Sequence, residues 1–183
     1  MNRLKNSTVY LAGNIDYAPD LGMGWRDAIT PFLKDELGIT VINPCKKPKN
    51  LINSTYDEDN DFRLERIKLK SEGKYKELHN LMNPIIQADL HFVDISNFMI
   101  VGLDVEKKPC GSIWEMCIGN LARKPILIVS ATGKNQINDW LFGLLPDELF
   151  FDTWNELKEY LRHVDSAENI NTYGRWRLFD LNR

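Results

Sequence analysis

The sequence predicts a parallel α/β fold, in which helices cover both faces of a sheet of about five strands. Short apolar runs rich in β-branched and aromatic residues alternate along the chain with stretches whose apolar residues recur at helical spacing. Strands that alternate with helices form βαβ units and therefore parallel sheets. The length of 183 residues suits one domain, and no repeat or low-complexity tract divides it.

The first third of the chain carries two predicted strands with a helix between them. STVYLAG at 7–13 has the pattern of a buried strand, and ITVINP at 39–44 is the second strand. The apolar positions of 25–38 follow helical spacing, with Pro31 inside the pattern. Because proline lacks a backbone N–H, we expect this helix to kink or to start late.

The middle of the chain begins with a long polar loop, 45–61, of a length that usually serves function or is disordered. The next stretch, 62–90, has two helical patterns broken near Gly73. LHFVDIS at 90–96 and FMIVGLD at 98–104 lie close together, and we favour the second as the central strand.

The remaining elements continue the alternation. A helix at 112–123 is followed by a strand at 124–130 and a weak helix at 135–145. A last strand at 148–152 and a last helix at 153–163 complete the pattern. We expect a single domain over 1–165, followed by a polar tail at 166–183.

The composition excludes several classes of function. The formal net charge is −3 and 27% of the residues are charged, whereas binding to duplex nucleic acid or to an anionic membrane needs a basic surface. No apolar run approaches the length of a membrane span, and the N-terminus lacks the apolar core of a signal peptide. We therefore expect a cytoplasmic protein that binds a small molecule.

Ligands of parallel α/β folds bind at the carboxyl ends of the strands, where the strand order reverses. This rule selects the polar residues that directly follow the predicted strands. After the first strand these are Gly13, Asn14 and Asp16, and after the second Asn43. Arg26 opens the first helix and would either reach an anion at the sheet edge or be a solvated helix charge.

The sequence CGSIWEMCIGNLARKPILIV, at 110–129, permits two interpretations of Glu115. In a capping box, Ser112 would be the N-cap and Glu115 would bond back to it. Alternatively, the positive end of the helix dipole would keep Glu115 ionised as a nucleophile toward a sugar carbon. Backbone N–H groups at Gly111 and Ser112 could hold a phosphate or a sugar hydroxyl.

Two further expectations concern proton transfer and metals. Asp94, in VDIS, is a candidate for a second carboxylate that handles a proton. Its alternative is a turn-forming aspartate. The three histidines and three cysteines show no metal-ligand spacing, so we expect no metal and no cofactor.

The order of the motifs VYLAGNID, WRD, VINP, II-x-x-D-L-x-x-V-D-I-S-x-F and GS-x-x-E-x-x-x-x-N-x-A-x-K-P-I-L-I-V resembles the nucleoside 2-deoxyribosyltransferase family, especially its divergent branch. The resemblance covers roughly residues 8–130. It implies a flavodoxin-like or Rossmann-like three-layer sandwich. It also implies cleavage of the N-glycosidic bond of a 2'-deoxynucleoside or nucleotide through a glutamyl-deoxyribosyl intermediate, with transfer of the sugar to another base.

Carried over residue by residue, the resemblance makes Glu115 the nucleophile and Tyr10 its hydrogen-bond donor. It places Gly13 and the residues after it against the sugar or phosphate, and Asp94 and Asn97 near the leaving base. Relatives form dimers or larger homo-oligomers, and the C-terminal tail could complete a neighbour's pocket.

Pro109 lies six residues before Glu115, where many transferases of the family carry an aspartate. Transfer, hydrolysis of a nucleoside 5'-monophosphate, and binding without catalysis therefore remain alternative functions at this point.

Overall fold

The computed structural model describes residues 2–15, 18–46 and 60–179. Its strands are β1 (Thr8–Gly13), β2 (Thr40–Ile42), β3 (Phe98–Leu103), β4 (Ile126–Ser130) and β5 (Phe150–Phe151). Its helices are α1 (Met23–Pro31), α2 (Asn60–Ser71), α3 (Tyr75–Ile95), α4 (Cys110–Leu121), α5 (Asp139–Leu144) and α6 (Trp154–Ser166). Short 3₁₀ turns lie at Pro44–Lys46, Lys134–Gln136, Asp147–Leu149 and Arg177–Phe179.

The five strands form one sheet in the order β2-β1-β3-β4-β5, and every pairing is parallel. The prediction of a five-stranded parallel α/β fold is confirmed, and the architecture is the three-layer, Rossmann-like sandwich. Because successive side chains of a strand point to opposite faces, each strand contributes to two cores. The order of the sheet reverses between β1 and β3, so the switch point lies at their carboxyl ends.

The two cores separate the helices by face. On one face, side chains of α1 and α6 pack against alternate residues of the strands, such as Leu11 and Ile100. On the other face, α3 and α4 pack against the intervening residues, such as Tyr10 and Val101. Gly119 lets α4 lie close to the sheet, since a Cβ there would be 2.5 Å from the sulfur of Met99.

The boundaries of the first and third helices differ from those predicted. The first helix begins at Met23, and at Pro31 it passes into a π-helical turn, Phe32–Glu36, because proline has no N–H to continue the α-helical ladder. The break near Gly73 is confirmed, and this residue has a φ of +67°. The third helix continues to Ile95 and therefore includes the 90–96 stretch, while FMIVGL forms the central strand β3, as favoured.

The C-terminal segment packs against its own chain at the amino edge of the sheet. Trp176 is fully buried among Phe98, Phe179 and Tyr160, and its Nε1 donates to Tyr160 Oη at 3.0 Å. Arg175 donates to the backbone oxygen of Lys124 at 3.1 Å. This part of the tail is therefore far from the pocket of its own chain and is used within the core.

Candidate active site

A cavity of about 360 Å³ opens between α2, α3 and α4 beside the carboxyl ends of β1 and β3. Apolar side chains of the helices form one part of its lining: Phe62, Met82, Ile85, Ile86, Leu90 and Trp114. A second part comes from two loops and the start of α4: Gly13, Asn14, Ile15, Lys108, Pro109, Cys110, Gly111 and Ser112. Three ionisable side chains, Arg66, Asp89 and Glu115, complete the lining.

Glu115 and Tyr10 form a hydrogen-bonded pair at this cavity. The phenol of Tyr10 donates to Glu115 Oε1 at 2.8 Å. Tyr10 is fully buried in β1, and burial raises the pKa of its phenol well above the usual value, with the charges of Glu115 and Asp89 adding to the shift. The phenol therefore stays protonated at neutral pH, and its proton fixes one oxygen of the carboxylate.

The capping-box interpretation of Glu115 is wrong. The N-cap of α4 is Pro109, which provides no side-chain acceptor, so the helix starts two residues earlier than predicted. Ser112 is consequently the third residue of the helix, where its hydroxyl cannot cap the first turn. The Glu115 carboxylate lies in the second turn and faces Tyr10 instead.

The uncapped start of α4 leaves hydrogen-bond donors at the cavity. The first bond of this helix runs from Ile113 N to Pro109 O at 2.8 Å, so the N–H groups of Cys110, Gly111 and Ser112 have no acceptor among the described residues. Ser112 is only 6% exposed, and within the described chain its hydroxyl also lacks a partner. Lys108 adds a positive charge to the same wall.

Three ionisable residues that were not predicted from the sequence also line the cavity: Asp89, Arg66 and Lys108. Asp89 is close enough to Tyr10 for its charge to raise the pKa of that phenol. Helical spacing was the signal that could have found it. Asp89 lies four residues after Ile85 and three before Phe92, two buried positions of α3, and therefore on the same face.

Asp94 and Asn97 are not brought to the cavity. Asp94 lies in the last turn of α3, which runs from the carboxyl edge to the amino edge of the sheet, and its backbone oxygen accepts from Lys124 Nζ at 2.8 Å. Asn97 Oδ1 accepts from the backbone N–H of Thr8 at 2.7 Å, at the start of β1. Because the cavity lies at the opposite edge, neither side chain can approach a base bound beside Glu115.

Arg26 is neither a solvated helix charge nor available to an anion at the sheet edge, the two alternatives that the sequence left open. It is fully buried and donates to three backbone oxygens: from Nε to Leu11 O at 3.1 Å, from Nη1 to Gly22 O at 2.7 Å and from Nη2 to Gly13 O at 3.0 Å. Its guanidinium also lies over the ring of Trp25. Arg26 thus holds the end of β1 and the end of the following loop together.

Of the polar residues predicted to follow β1 and β2, some line the cavity and others do not. Gly13 and Asn14 line the cavity, whereas Asp16 lies outside the described residues. Gly13 has a φ of +148°, and a Cβ there would be 2.5 Å from Gly102 O, so only glycine fits between β1 and β3. Asn43 is not among the lining residues, and its Oδ1 accepts from Cys45 N at 2.9 Å.

Across residues 2–15, 18–46 and 60–179, no helix combines the length and apolar character that a membrane crossing requires. In the same part of the chain, no group of three or more His, Cys, Asp and Glu side chains is arranged to hold a metal ion.

The sequence matches no known family profile and no curated protein. The backbone is similar to the solved structure of a 2-deoxyribosyltransferase from the psychrotolerant bacterium Bacillus psychrosaccharolyticus, a biocatalyst for the synthesis of antiviral and antitumoral nucleosides. The TM-score is 0.56, the sequences are 18% identical, and the match covers 84% of this chain and 92% of that chain. At this identity the likeness shows a shared fold.

Proposed function

We propose that the protein cleaves the N-glycosidic bond of a 2'-deoxynucleoside and transfers the sugar to another base. The observation that carries this proposal is the Tyr10–Glu115 pair, a carboxylate fixed by a buried phenol at the wall of a cavity of about 360 Å³. The shared fold with a 2-deoxyribosyltransferase supports it. The lining, which combines apolar helix side chains with polar groups, also suits a nucleoside that has an apolar base face and a polar sugar.

In the proposed mechanism, Glu115 attacks C1' of the sugar while the bond from C1' to the base nitrogen breaks and its electron pair leaves with the base. Asp89, which lines the same cavity, takes the role expected of Asp94 and supplies a proton to the leaving base. A nitrogen of the second base then attacks C1' and gives its proton to Asp89, which breaks the ester bond, restores the Glu115 carboxylate and reprotonates Asp89. Water in place of that base gives hydrolysis.

The test is a chromatographic assay of each 2'-deoxynucleoside with a different free base, comparing the wild-type protein with Glu115→Gln. We expect a new nucleoside from the wild type and a loss of turnover by a factor of about 1,000 or more in the variant, because the amide is a poor nucleophile. Glu159→Gln, at an exposed position of α6, is the matched control and should keep full turnover. Equal turnover by Glu115→Gln would contradict the proposal.

A second candidate function, hydrolysis of a nucleoside 5'-monophosphate, is favoured by the donors at the start of α4. Three N–H groups without an acceptor among the described residues, the Ser112 hydroxyl and Lys108 line the cavity together, and such a helix start is suited to bind a phosphate. If it does, Lys108→Ala will raise KM about tenfold for the 5'-monophosphate and little for the nucleoside, since only the phosphate contacts the ammonium group.

Steady-state assays of the paired substrates measure this difference, with the exposed Lys5→Ala as control. A Lys108→Ala variant that loses the same factor on both substrates would rule out a phosphate contact. Release of free base from the monophosphate alone would identify a hydrolase in place of a transferase.

A further inference from the structure

Arg66 is a cation of the candidate active site that neither the proposed bond cleavage nor the phosphate contact uses. It lies on α2 and lines the cavity together with Phe62, which comes one helical turn earlier. Its guanidinium carbon is 4.9 Å from the centroid of the Phe62 ring. Since Phe62 is only 2% exposed, this contact holds the guanidinium against the apolar part of the lining.

The guanidinium of Arg66 is partly removed from water. The residue is half-buried, and its Nε atom is enclosed by protein. Where water is excluded, a hydrogen bond to a charged donor is stronger, and a donor that faces the wrong group costs more. The affinity of a ligand in this part of the cavity should therefore depend on the group that it turns toward Arg66.

Lys108, the other cation of the described lining, belongs to a different part of the cavity. It lies in the loop before α4, beside the N–H groups that suit a phosphate or a sugar hydroxyl. Arg66 comes from α2, which packs on α3, and α3 contributes most of the apolar lining together with Asp89. We therefore expect a flat base that contacts the apolar lining to meet Arg66 and Asp89.

The chemistry of a guanidinium decides which base it recognises. Arg66 can only donate hydrogen bonds, and its planar fork of N–H groups fits a carbonyl oxygen. A 6-oxopurine presents such an oxygen, O6, whereas adenine presents an amino group at the same position. Because the amino group is itself a donor, adenine would leave the donors of Arg66 facing other donors.

We infer that Arg66 donates to O6 of a 6-oxopurine and thereby selects 2'-deoxyinosine and 2'-deoxyguanosine over 2'-deoxyadenosine. The inference rests on the proposed function, which puts the base of a nucleoside in this cavity. When the bond from C1' to N9 breaks, its electron pair passes to the base, and Arg66 stabilises the negative charge that reaches O6. The proton of Asp89 goes to N7, on the same edge, so that a neutral base leaves.

The test compares 2'-deoxyinosine with 2'-deoxyadenosine, which share the sugar and the purine ring system and differ in the group at position 6. Rates of base release with one common acceptor base give kcat/KM for each. We expect the wild type to favour 2'-deoxyinosine about a hundredfold, because an amino group leaves the donors of Arg66 without an acceptor. Equal values for the two substrates would overturn the inference.

Two variants of Arg66 test whether it is the source of the preference. Arg66→Met keeps an unbranched side chain over Phe62 but removes the donors, so kcat/KM for 2'-deoxyinosine should fall about thirtyfold and the preference should nearly disappear. Arg66→Gln can turn its amide oxygen toward an amino group, so kcat/KM for 2'-deoxyadenosine should rise about fivefold above that of the wild type. A loss by the same factor on both substrates would indicate a structural role and refute the contact.

Lys68→Met is the matched control, because Lys68 lies at an exposed position of the same helix. Its preference for 2'-deoxyinosine should equal that of the wild type, and an equal loss of preference in Lys68→Met and Arg66→Met would count against Arg66. Thermal denaturation verifies that each variant is folded. If Arg66→Met does not fold, Arg66→Gln provides the comparison.

Calorimetric titration with the same two nucleosides separates this inference from the proposed function. If the wild type releases no base, the proposed function fails. A Kd for 2'-deoxyinosine about tenfold below that for 2'-deoxyadenosine, with the difference lost in Arg66→Met, would still support the contact. Equal Kd values, or binding of neither nucleoside at millimolar concentration, would overturn it. Release of base from both nucleosides at equal rates would refute the contact and leave the proposed function intact.

Discussion

At the scale of single residues, the burial of Tyr10 decides what it can do beside Glu115. Its phenol has a pKa raised well above the ordinary value near 10, chiefly by desolvation. A raised pKa in the folded state means that the unfolded chain loses this proton first as the pH rises. Tyr10 therefore destabilises the fold only above about pH 10, and below it remains a donor to Glu115.

Removing that donor gives a prediction for turnover. In Tyr10→Phe, Glu115 loses a hydrogen bond of about 1.5–3 kcal/mol, the range for bonds to charged groups, so kcat/KM should fall about tenfold to a hundredfold. Tyr160→Phe is the control, because Tyr160 is also a largely buried tyrosine but lies at the far edge, bonded to Trp176. Steady-state rates below pH 10 measure both, and an unaffected Tyr10→Phe would remove the phenol from the mechanism.

Arg26 shows why the sequence alone could not settle every candidate residue. The two sequence-based alternatives, an anion contact and a solvated charge, both assumed that a guanidinium at the start of a helix lies at the surface. In the structure its donors are used by three carbonyl oxygens, two at the end of β1 and one at Gly22, which makes burial tolerable. Local spacing does not reveal such a set of acceptors.

At the scale of elements, the alternation of strand and helix patterns along the chain was enough to predict the sheet. It was not enough to predict the residue at which each helix begins. The central strands were found because their buried residues form continuous apolar runs, as in other parallel sheets. The N-cap of α4 was predicted three residues too late, because S-I-W-E imitates a capping box at Ser112 while Pro109 is the actual N-cap. A shift of three residues moves Glu115 from the first turn to the second.

The end of α3 had the larger consequence for the candidate site. The length of this helix, which continues through the 90–96 stretch, carries Asp94 to the amino edge and leaves Asp89 at the cavity. Both aspartates occur in the same motif, and only the helix boundary decides which of them is near Glu115. Boundaries are set by tertiary packing, here by the burial of Phe92 and Val93, and not by local preference.

At the scale of the whole molecule, the carboxyl edge and the amino edge of the sheet differ in what they contain. The cavity with Glu115 lies at the carboxyl edge, and the C-terminal segment closes the amino edge with Trp176. Truncating this side chain removes a large part of the core under that edge. We therefore expect Trp176→Ala to lower the free energy of unfolding by about 3–5 kcal/mol, as for other buried aromatic residues.

Urea denaturation followed by circular dichroism measures the change, with Trp140→Ala as the matched control. Trp140 is 80% exposed, so its truncation should cost less than about 1 kcal/mol. Because the C-terminal segment is remote from Tyr10 and Glu115, Trp176→Ala should keep the turnover of the wild type for each folded molecule at low temperature. Equal urea midpoints for the two variants would show that the C-terminal segment is not part of the core, and a loss of turnover by folded Trp176→Ala would show that the two edges are coupled.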